Sequence, residues 1–183
     1  VTPFLVALAP RVATAIARRR PAVAAAALPV SEGGPEEAAL VDHILIIGFG
    51  PAGRRVAEDL MRRHKSRIVV LELSRKSADV GRSYGLRTYL GDGAQAEVLE
   101  HLAVSQASTV VVTVPDPAAA HAVISAVRAL APGVPIVARA RYHVYRWELL
   151  VAGAEVVVDE EEQVGVRIAA AVRRRLRSGP SSA

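Results

Sequence analysis

An apolar segment that runs straight into a glycine-rich turn constrains the fold of this chain more than any other feature. Residues 43–47 form the apolar segment, and residues 48–53 read Gly-Phe-Gly-Pro-Ala-Gly. Residues 54–64 then carry apolar side chains at helical spacing, and a second apolar segment, 67–71, leads to Glu72. Strand, turn, helix, strand and acid therefore occur in the order of a βαβ unit whose turn holds a phosphate group.

Each glycine of this turn has its own steric reason to be there. Gly48 allows the tight turn out of the strand, Gly50 lets the backbone approach a pyrophosphate, and Gly53 lets the helix pack closely. The amides and the dipole at the helix N-terminus favour an anion. The residues predicted to bind the cofactor here are Gly48, Phe49, Gly50, Pro51, Ala52 and Gly53. The alternative is a turn whose glycines serve packing alone.

Glu72 is predicted to hold the ribose of the bound nucleotide. It lies 24 residues after Gly48, close to the spacing of about 20 that is typical of such an acid. Its carboxylate would accept hydrogen bonds from ribose hydroxyls and repel a 2′-phosphate, which favours NAD(H) or an adenine nucleotide (AMP, ADP or ATP) over NADP. Arg75 either weakens that exclusion or is simply solvated.

Strand and helix patterns alternate along the rest of the chain. Strands are predicted at 43–48, 67–72, 87–90, 108–114, 135–139 and 155–158, and helices at 51–64, 76–84, 94–102, 117–131, 143–152 and 160–177. This alternation predicts an α/β, Rossmann-like, doubly wound parallel sheet of six strands in the order 3-2-1-4-5-6, with helices on both faces. An apolar content of 51% with only 4% aromatic residues suits a sheet buried on both faces.

Three further candidates for cofactor binding follow strands at the same edge of the sheet. Asp92 faces the adenine or ribose, caps the next helix, or does both. Val114 ends the fourth strand, on the other flank of the nucleotide. Arg139 ends the fifth strand, where it either reaches a phosphate or forms an ion pair with Asp116 or Glu155.

Nothing in the sequence predicts a catalytic residue or a metal site. The chain has no cysteine, which excludes thiolate ligands, and its five histidines show no metal-binding spacing. The acidic run 159–162 complements the dipole of the last helix, or alternatively forms a cation site. Tyr142 and Tyr145 lack the lysine spacing of short-chain reductases. The prediction is therefore a binding module, with an NAD-dependent oxidoreductase as the alternative.

Four stretches together carry a family resemblance. They are Ile-Ile-Gly-Phe-Gly-Pro-Ala-Gly at 46–53, Val-Val-Leu-Glu at 69–72, the glycine-containing strand 84–93 with its Gly-Asp-Gly end, and Pro-Ile-Val-Ala-Arg-Ala-Arg at 135–141 followed by 152–157. With them, the core from Ile44 to about Val158 resembles the regulator-of-potassium-conductance (RCK, or TrkA-N) nucleotide-binding domain. Within that family it is most similar to the carboxy-terminal domain of Kef-type monovalent cation:proton antiporters.

The resemblance implies a function and two partners. It implies a nucleotide-sensing regulatory domain at the cytoplasmic face of the cell membrane, which gates a potassium or sodium/proton antiporter or a potassium efflux system. The membrane antiporter domain would be fused to it or associated with it. The resemblance also implies a homodimer. Large apolar groups in one short helix are candidates for its surface, unless they pack inside the monomer: Tyr142, Val144, Tyr145, Trp147, Leu149 and Leu150.

The two ends of the chain differ from this core. Residues 1–20, apolar and then basic, are predicted to end a transmembrane helix of an upstream domain, or to form an amphipathic helix. Residues 21–40 read as a linker, 41–177 as the nucleotide-binding domain and 178–183 as a flexible tail. The net charge of +5 is concentrated in arginine clusters without interleaved aromatics. This pattern predicts no nucleic-acid binding, and leaves a solvated helix face or contact with an anionic membrane surface.

Overall fold

A computed structural model describes residues 39–177 and confirms the predicted sheet. Its six strands are all parallel and are hydrogen-bonded in the order β3-β2-β1-β4-β5-β6. The strands are β1 (Ile44–Ile47), β2 (Ile68–Glu72), β3 (Arg87–Leu90), β4 (Thr109–Val112), β5 (Ile136–Ala140) and β6 (Val156–Asp159). The strand order reverses between β1 and β4, which places a ligand crevice at their carboxyl ends.

Helices connect the strands as the alternating pattern predicts. They are α1 (Pro51–His64), α2 (Arg75–Ser83), α3 (Ala96–His101), α4 (Pro117–Leu130), α5 (Arg146–Val151) and α6 (Glu160–Arg177). The predicted helix 94–102 begins later, at Ala96, because the Asp92 side chain holds the preceding residues in a turn. The predicted helix 143–152 is divided into a 3₁₀ turn, His143–Tyr145, and α5.

Two apolar clusters fill the two faces of the sheet. Ile46, Ile68 and Val70 pack with Phe49 and Ala57 of the first βα unit on one face. The larger cluster lies on the other face, under α3, α4 and α5, and includes Leu45, Ile47, Leu71, Leu99, Ile124 and Leu149. Neighbouring residues of β1 thus belong to opposite clusters, as the alternation of side chains along a strand requires. Helices on both faces are therefore confirmed.

The last helix differs from the others because none of the residues of α6 is buried. Its exposed apolar residues Val164, Ile168, Val172 and Leu176 follow one another at intervals of four. Residues at this spacing share one side of a helix, and we call this row the α6 stripe. Val156 and Val158 of the edge strand β6 are also exposed. This end of the sheet therefore presents apolar surface that residues 39–177 leave uncovered.

Several predictions fall on parts of the chain that lie outside the described residues. These are the membrane-helix end at 1–20, all but the last two residues of the linker 21–40, and the tail 178–183. They stay predictions. Within residues 39–177, no helix combines the length and the apolar character that crossing a bilayer requires.

His43, just before β1, is a buried histidine, and its burial makes stability depend on pH. The side chain is 2% exposed, and loss of hydration lowers the pKa of the His43 ring, opposed only in part by the backbone of Leu102. Below the usual pKa of about 6.5 the unfolded chain binds a proton that the folded chain still excludes. The free energy of unfolding should therefore fall as the pH drops below 6.5, by at most about 1.4 kcal/mol per pH unit.

Urea unfolding between pH 7.5 and pH 5 measures this effect. His43→Leu should remove much of the pH dependence, since it removes the group that takes up the proton. His121→Leu is the matched control, because His121 is exposed and its replacement should leave the pH dependence unchanged. An identical pH dependence in the parent and in His43→Leu would contradict the assignment.

Candidate functional site

The glycine-rich turn lies between β1 and α1, at the carboxyl end of the sheet. Gly48 has a φ of +94°, a conformation that residues with a side chain rarely adopt. Its amide donates to the Leu71 carbonyl at 2.8 Å, and the buried Thr113 hydroxyl donates to the Gly48 carbonyl, also at 2.8 Å. Leu71 of β2 on one side and Thr113, directly after β4, on the other therefore hold the turn in place.

The three glycines have different surroundings. A Cβ atom on Gly53 would lie 2.2 Å from the Gly48 carbonyl oxygen, and one on Gly48 would lie 3.1 Å from Thr113 Oγ1. A Cβ atom on Gly50 would meet no atom of residues 39–177 within 4 Å. Gly50 also has an extended backbone, φ −69° and ψ −169°, which other residues adopt readily. Packing therefore explains Gly48 and Gly53 but not Gly50, whose backbone is left open to a ligand.

The N-terminus of α1 borders the same open space. Its N-cap is Gly50, which supplies no capping side chain, and no acidic residue occupies the first turn. Pro51 has no amide to leave unpaired, whereas Ala52 and Gly53 each carry an N–H in the first turn, where α1 itself offers no acceptor. An anion at this end would satisfy these amides and would be stabilised by the helix dipole.

Glu72 closes the other side of the turn. The Phe49 amide donates to Glu72 Oε2 at 2.5 Å, and the Ser74 amide donates to Oε1 at 2.8 Å. Each carboxylate oxygen has two lone pairs, so ribose hydroxyls can still donate to Glu72. The Phe49 side chain is fully buried and packs edge to face on Tyr84. Only the backbone of Phe49 therefore borders the site.

Replacing Glu72 with alanine is expected to weaken both folding and ligand binding. The Phe49 and Ser74 amides lose their acceptor, and a bound ribose loses its partner. Each loss is on the scale of about 1–3 kcal/mol, that of hydrogen bonds to a charged group. Thermal unfolding and calorimetry with an adenine nucleotide measure the two effects. Glu72→Gln keeps one acceptor oxygen, so its thermal stability and nucleotide affinity should lie between those of the parent and of the alanine variant. An alanine variant that matches the parent in both stability and affinity would contradict this role.

Asp92 and Asp116 both cap turns. Asp92 Oδ1 accepts a hydrogen bond from the Ala94 amide at 2.9 Å. Asp116 is the N-cap of α4, and its Oδ1 accepts from the Ala119 amide at 2.8 Å. In the part of the chain that the structure describes, Asp92 Oδ2 has no partner. Capping by Asp92 is therefore compatible with a contact to the ribose or adenine.

Arg139 forms an ion pair, but not with the partners considered from the sequence. It pairs with Glu160, the first residue of α6: Nε is 2.6 Å from Oε2, and Nη2 contacts the same oxygen. Its Nη1 lies 3.5 Å from the Thr113 carbonyl oxygen. The predicted ion pairs with Asp116 and Glu155 are wrong.

Val114 is half-buried against the larger apolar cluster.

The acidic run 159–162 is engaged at the start of α6. The buried Asp159 accepts from the Glu162 amide at 3.1 Å and contacts His143 Nδ1. The Glu162 amide, and then His143, hold the pKa of the Asp159 carboxyl below its ordinary value. Glu161 accepts from the His143 amide at 2.8 Å. Within residues 39–177, no three potential ligands are grouped as a metal ion would require.

The structure thus places Glu72 against the glycine turn, and Arg139 two strands away on β5. Sequence reasoning placed the end of the fourth strand at this edge but assigned no role to Thr113, which contacts both the glycine turn and Arg139. Its only sequence signal is its position directly after a buried strand, where a hydroxyl can reach the neighbouring turn. It also missed that Glu72 binds the turn itself, because that contact spans 23 residues.

Comparison with known proteins identifies a protein family whose domain covers this site. The family model for the TrkA-N domain matches residues 44–160. Among curated proteins, K(+) efflux antiporter 1, chloroplastic, of Arabidopsis thaliana is 34% identical over 133 residues, which cover 73% of this chain. The match covers 11% of that antiporter, so the chain corresponds to a small part of it.

Several solved structures have a similar fold. The TrkA-N domain of inner membrane protein ybaL from Escherichia coli has a TM-score of 0.65 and 28% identity, covering 70% of this chain and 95% of that one. The GsuK channel bound to NAD has a TM-score of 0.58 and 28% identity, and the match covers 64% of this chain and 21% of that one. The Shewanella denitrificans Kef CTD in its AMP-bound form has a TM-score of 0.62, covers 76% and 82%, and at 21% identity shows the shared fold.

Proposed function

Because the chain belongs to the TrkA-N domain family, we propose that it is the nucleotide-sensing regulatory domain of a potassium or sodium/proton antiporter or potassium efflux system. It binds NAD(H) or an adenine nucleotide at the glycine turn. The nucleotide stabilises one arrangement of the domain over another, and this shift in population gates cation transport.

One observation carries the binding proposal. Gly50 has an ordinary extended backbone and open space where a side chain would lie, so nothing in the described part of the chain requires a glycine there. A phosphate group that approaches the backbone does require one. Glu72, with lone pairs available for ribose hydroxyls, supports an adenosine beside that phosphate. The NAD-bound GsuK channel, at 28% identity, supports the same class of ligand.

We place the domain at the cytoplasmic face of a membrane, fused to or associated with an antiporter domain. The relative in Arabidopsis thaliana is a K(+) efflux antiporter, and most of its length lies outside the match. The arginine-rich end of α6, which includes Arg173, Arg175 and Arg177, supports contact with an anionic membrane surface. Binding is proposed to occur without turnover, and no role for nucleic acid is proposed.

Calorimetry on the 183-residue chain tests this function. We expect at least one of NAD, NADH, AMP, ADP and ATP to bind, and the bound nucleotide to be recovered unchanged. Folded protein that binds none of them would refute the proposal. Hydride transfer from NADH to a carbonyl substrate would instead establish the alternative, an NAD-dependent oxidoreductase.

A homodimer through α5 is part of the proposal. Val144, Trp147 and Val151 are 72%, 71% and 83% exposed and follow one another at helical spacing. Leu149 is buried in the larger cluster, so the helix has one inner side and one apolar outer side. Large aromatic residues on such an outer side are typical of interfaces. The outer side of α5 is therefore the surface proposed to pair with a second copy.

Sedimentation of the 183-residue chain should show a dimer, and Trp147→Glu should shift it to the monomer while nucleotide binding is retained. If the interface still formed, the new glutamate carboxylate would lose its hydration without gaining an oppositely charged partner, and this cost disfavours the dimer. Glu148→Gln is the control, because Glu148 is exposed on the same helix but is not apolar. A parent that is monomeric at high micromolar concentration, with and without nucleotide, would exclude this surface.

A further inference from the structure

We propose that Arg139 couples the nucleotide site to α6 by exchanging one anionic partner for another. In the arrangement that the structure describes, Arg139 holds Glu160 and so fixes the start of α6. When a nucleotide binds, its phosphates draw the Arg139 guanidinium toward the glycine turn, and α6 loses that attachment. This inference rests on the proposed function, since it requires a phosphate at the turn.

A continuous series of contacts joins the two sites. The Thr113 hydroxyl donates to the Gly48 carbonyl in the turn at 2.8 Å. Arg139 Nη1 lies 3.5 Å from the carbonyl oxygen of the same Thr113, and Arg139 Nε donates to Glu160 at 2.6 Å. The guanidinium is thus separated from the glycine turn by a single residue, while its other edge is held by the first residue of α6.

The chemistry of the pair allows such an exchange. A guanidinium presents five N–H donors in one plane and binds carboxylates and phosphates in similar geometry. The Arg139 side chain is 20% exposed and that of Glu160 is 43% exposed, so water screens their attraction. A phosphate group carries more acceptor oxygens than Glu160 and would lie at an N-terminus that already favours anions. The phosphate can therefore compete with Glu160 for Arg139.

α6 is the element that would respond to this exchange. None of its residues is buried, so the contacts of its first turn hold it to the domain. These contacts are Arg139 with Glu160 and the His143 amide with Glu161; beside them, His143 holds Asp159, the last residue of β6. Elements with few buried contacts open at low free energy. Losing the Arg139 contact should therefore change the position or the stability of the α6 stripe.

The coupling predicts an unusual result: removing a charge from α6 should tighten nucleotide binding. Glu160→Gln leaves Arg139 without its competing carboxylate, and the affinity for ADP or NAD should rise by about fivefold or more, the lower end of typical coupling between sites. Glu162→Gln removes the same charge two residues later, from a side chain with no partner among the described residues. It should leave the affinity unchanged.

A double-mutant cycle isolates the Arg139 contribution. Arg139→Gln should weaken ADP binding, and in that background Glu160→Gln should no longer tighten it, because both changes act through the same guanidinium. Hydrogen exchange reports on α6 directly. We expect ADP to raise the exchange of amides 160–177 in the parent, and Glu160→Gln to show raised exchange before any nucleotide is added.

The outcomes separate this inference from the proposed function. If the parent binds none of the nucleotides, the proposed function fails and the inference fails with it. If the parent binds ADP or NAD but α6 exchange does not change, and Glu160→Gln binds like Glu162→Gln, only the inference is overturned. Circular dichroism and thermal unfolding of each variant confirm that the folded chain is being compared.

Discussion

Replacing Gly53 with alanine is expected to lower the free energy of unfolding by about 3 kcal/mol, the upper part of the range for overpacking. The added Cβ would lie 2.2 Å from the Gly48 carbonyl oxygen and 2.9 Å from Thr113 Oγ1. The first of these is a backbone atom of a turn that Leu71 of β2 and Thr113 both hold, so it cannot move aside without breaking a hydrogen bond. α1 must shift away from the sheet instead.

Urea unfolding of the parent and of Gly53→Ala measures this loss. Gly165→Ala is the matched control: Gly165 also lies in a helix, but a Cβ there would meet none of the described atoms within 4 Å. Alanine has the higher helix propensity, so the control should be as stable as the parent or slightly more stable. If Gly53→Ala unfolded at the same urea concentration as the control, the close approach of α1 to β1 would be refuted.

Replacing Gly50 with valine should have the opposite effect: the chain should remain folded but bind nucleotide much more weakly. The site tolerates a Cβ, and the extended backbone suits a β-branched residue. Loss of a favourable N-cap glycine should cost at most about 1 kcal/mol of stability. The valine methyls would occupy the space proposed for the phosphates, so nucleotide affinity should fall by roughly 100-fold, or about 3 kcal/mol.

Thermal unfolding and calorimetry together test this profile. Gly133→Val is the control. An added Cβ on Gly133 would also meet none of the described atoms within 4 Å, but Gly133 lies in the loop before β5, away from the glycine turn. It should keep the parent affinity, and Gly50→Ala should lie between the parent and the valine variant. Parent-like affinity in Gly50→Val would show that the nucleotide binds elsewhere.

The opposite profiles of Gly50 and Gly53 bear on the question that the sequence left open, whether the glycines serve packing or a ligand. On the proposed function, both uses would coexist in one turn of six residues. Gly48 and Gly53 bring α1 against the sheet, and Gly50 keeps the space above them free. Stability measurements should therefore identify the packing glycines, and binding measurements the ligand glycine.

The sequence by itself predicted the fold because the fold depends on local patterns. Apolar runs of strand length, helical spacing between them and turn glycines each identify one element from a few neighbouring residues. Right-handed crossovers then restrict how such elements can be ordered in a sheet. The order β3-β2-β1-β4-β5-β6 follows from these two facts and is confirmed. The position of Glu72 at the same edge of the sheet as the glycine turn could be predicted for the same reason, since their spacing is fixed by one βαβ unit.

Only the tertiary structure decided which side chains meet at the end of the sheet. Arg139 had Asp116, Glu155 or a phosphate as candidate partners, and it pairs with Glu160, 21 residues away. Such a contact depends on the angle at which α6 leaves β6, which no local pattern encodes. The same holds for the α6 stripe: the sequence predicted a helix at 160–177, but burial depends on what packs against that helix. Periodicity records which side of a helix is apolar, and only the folded chain determines whether that side is covered.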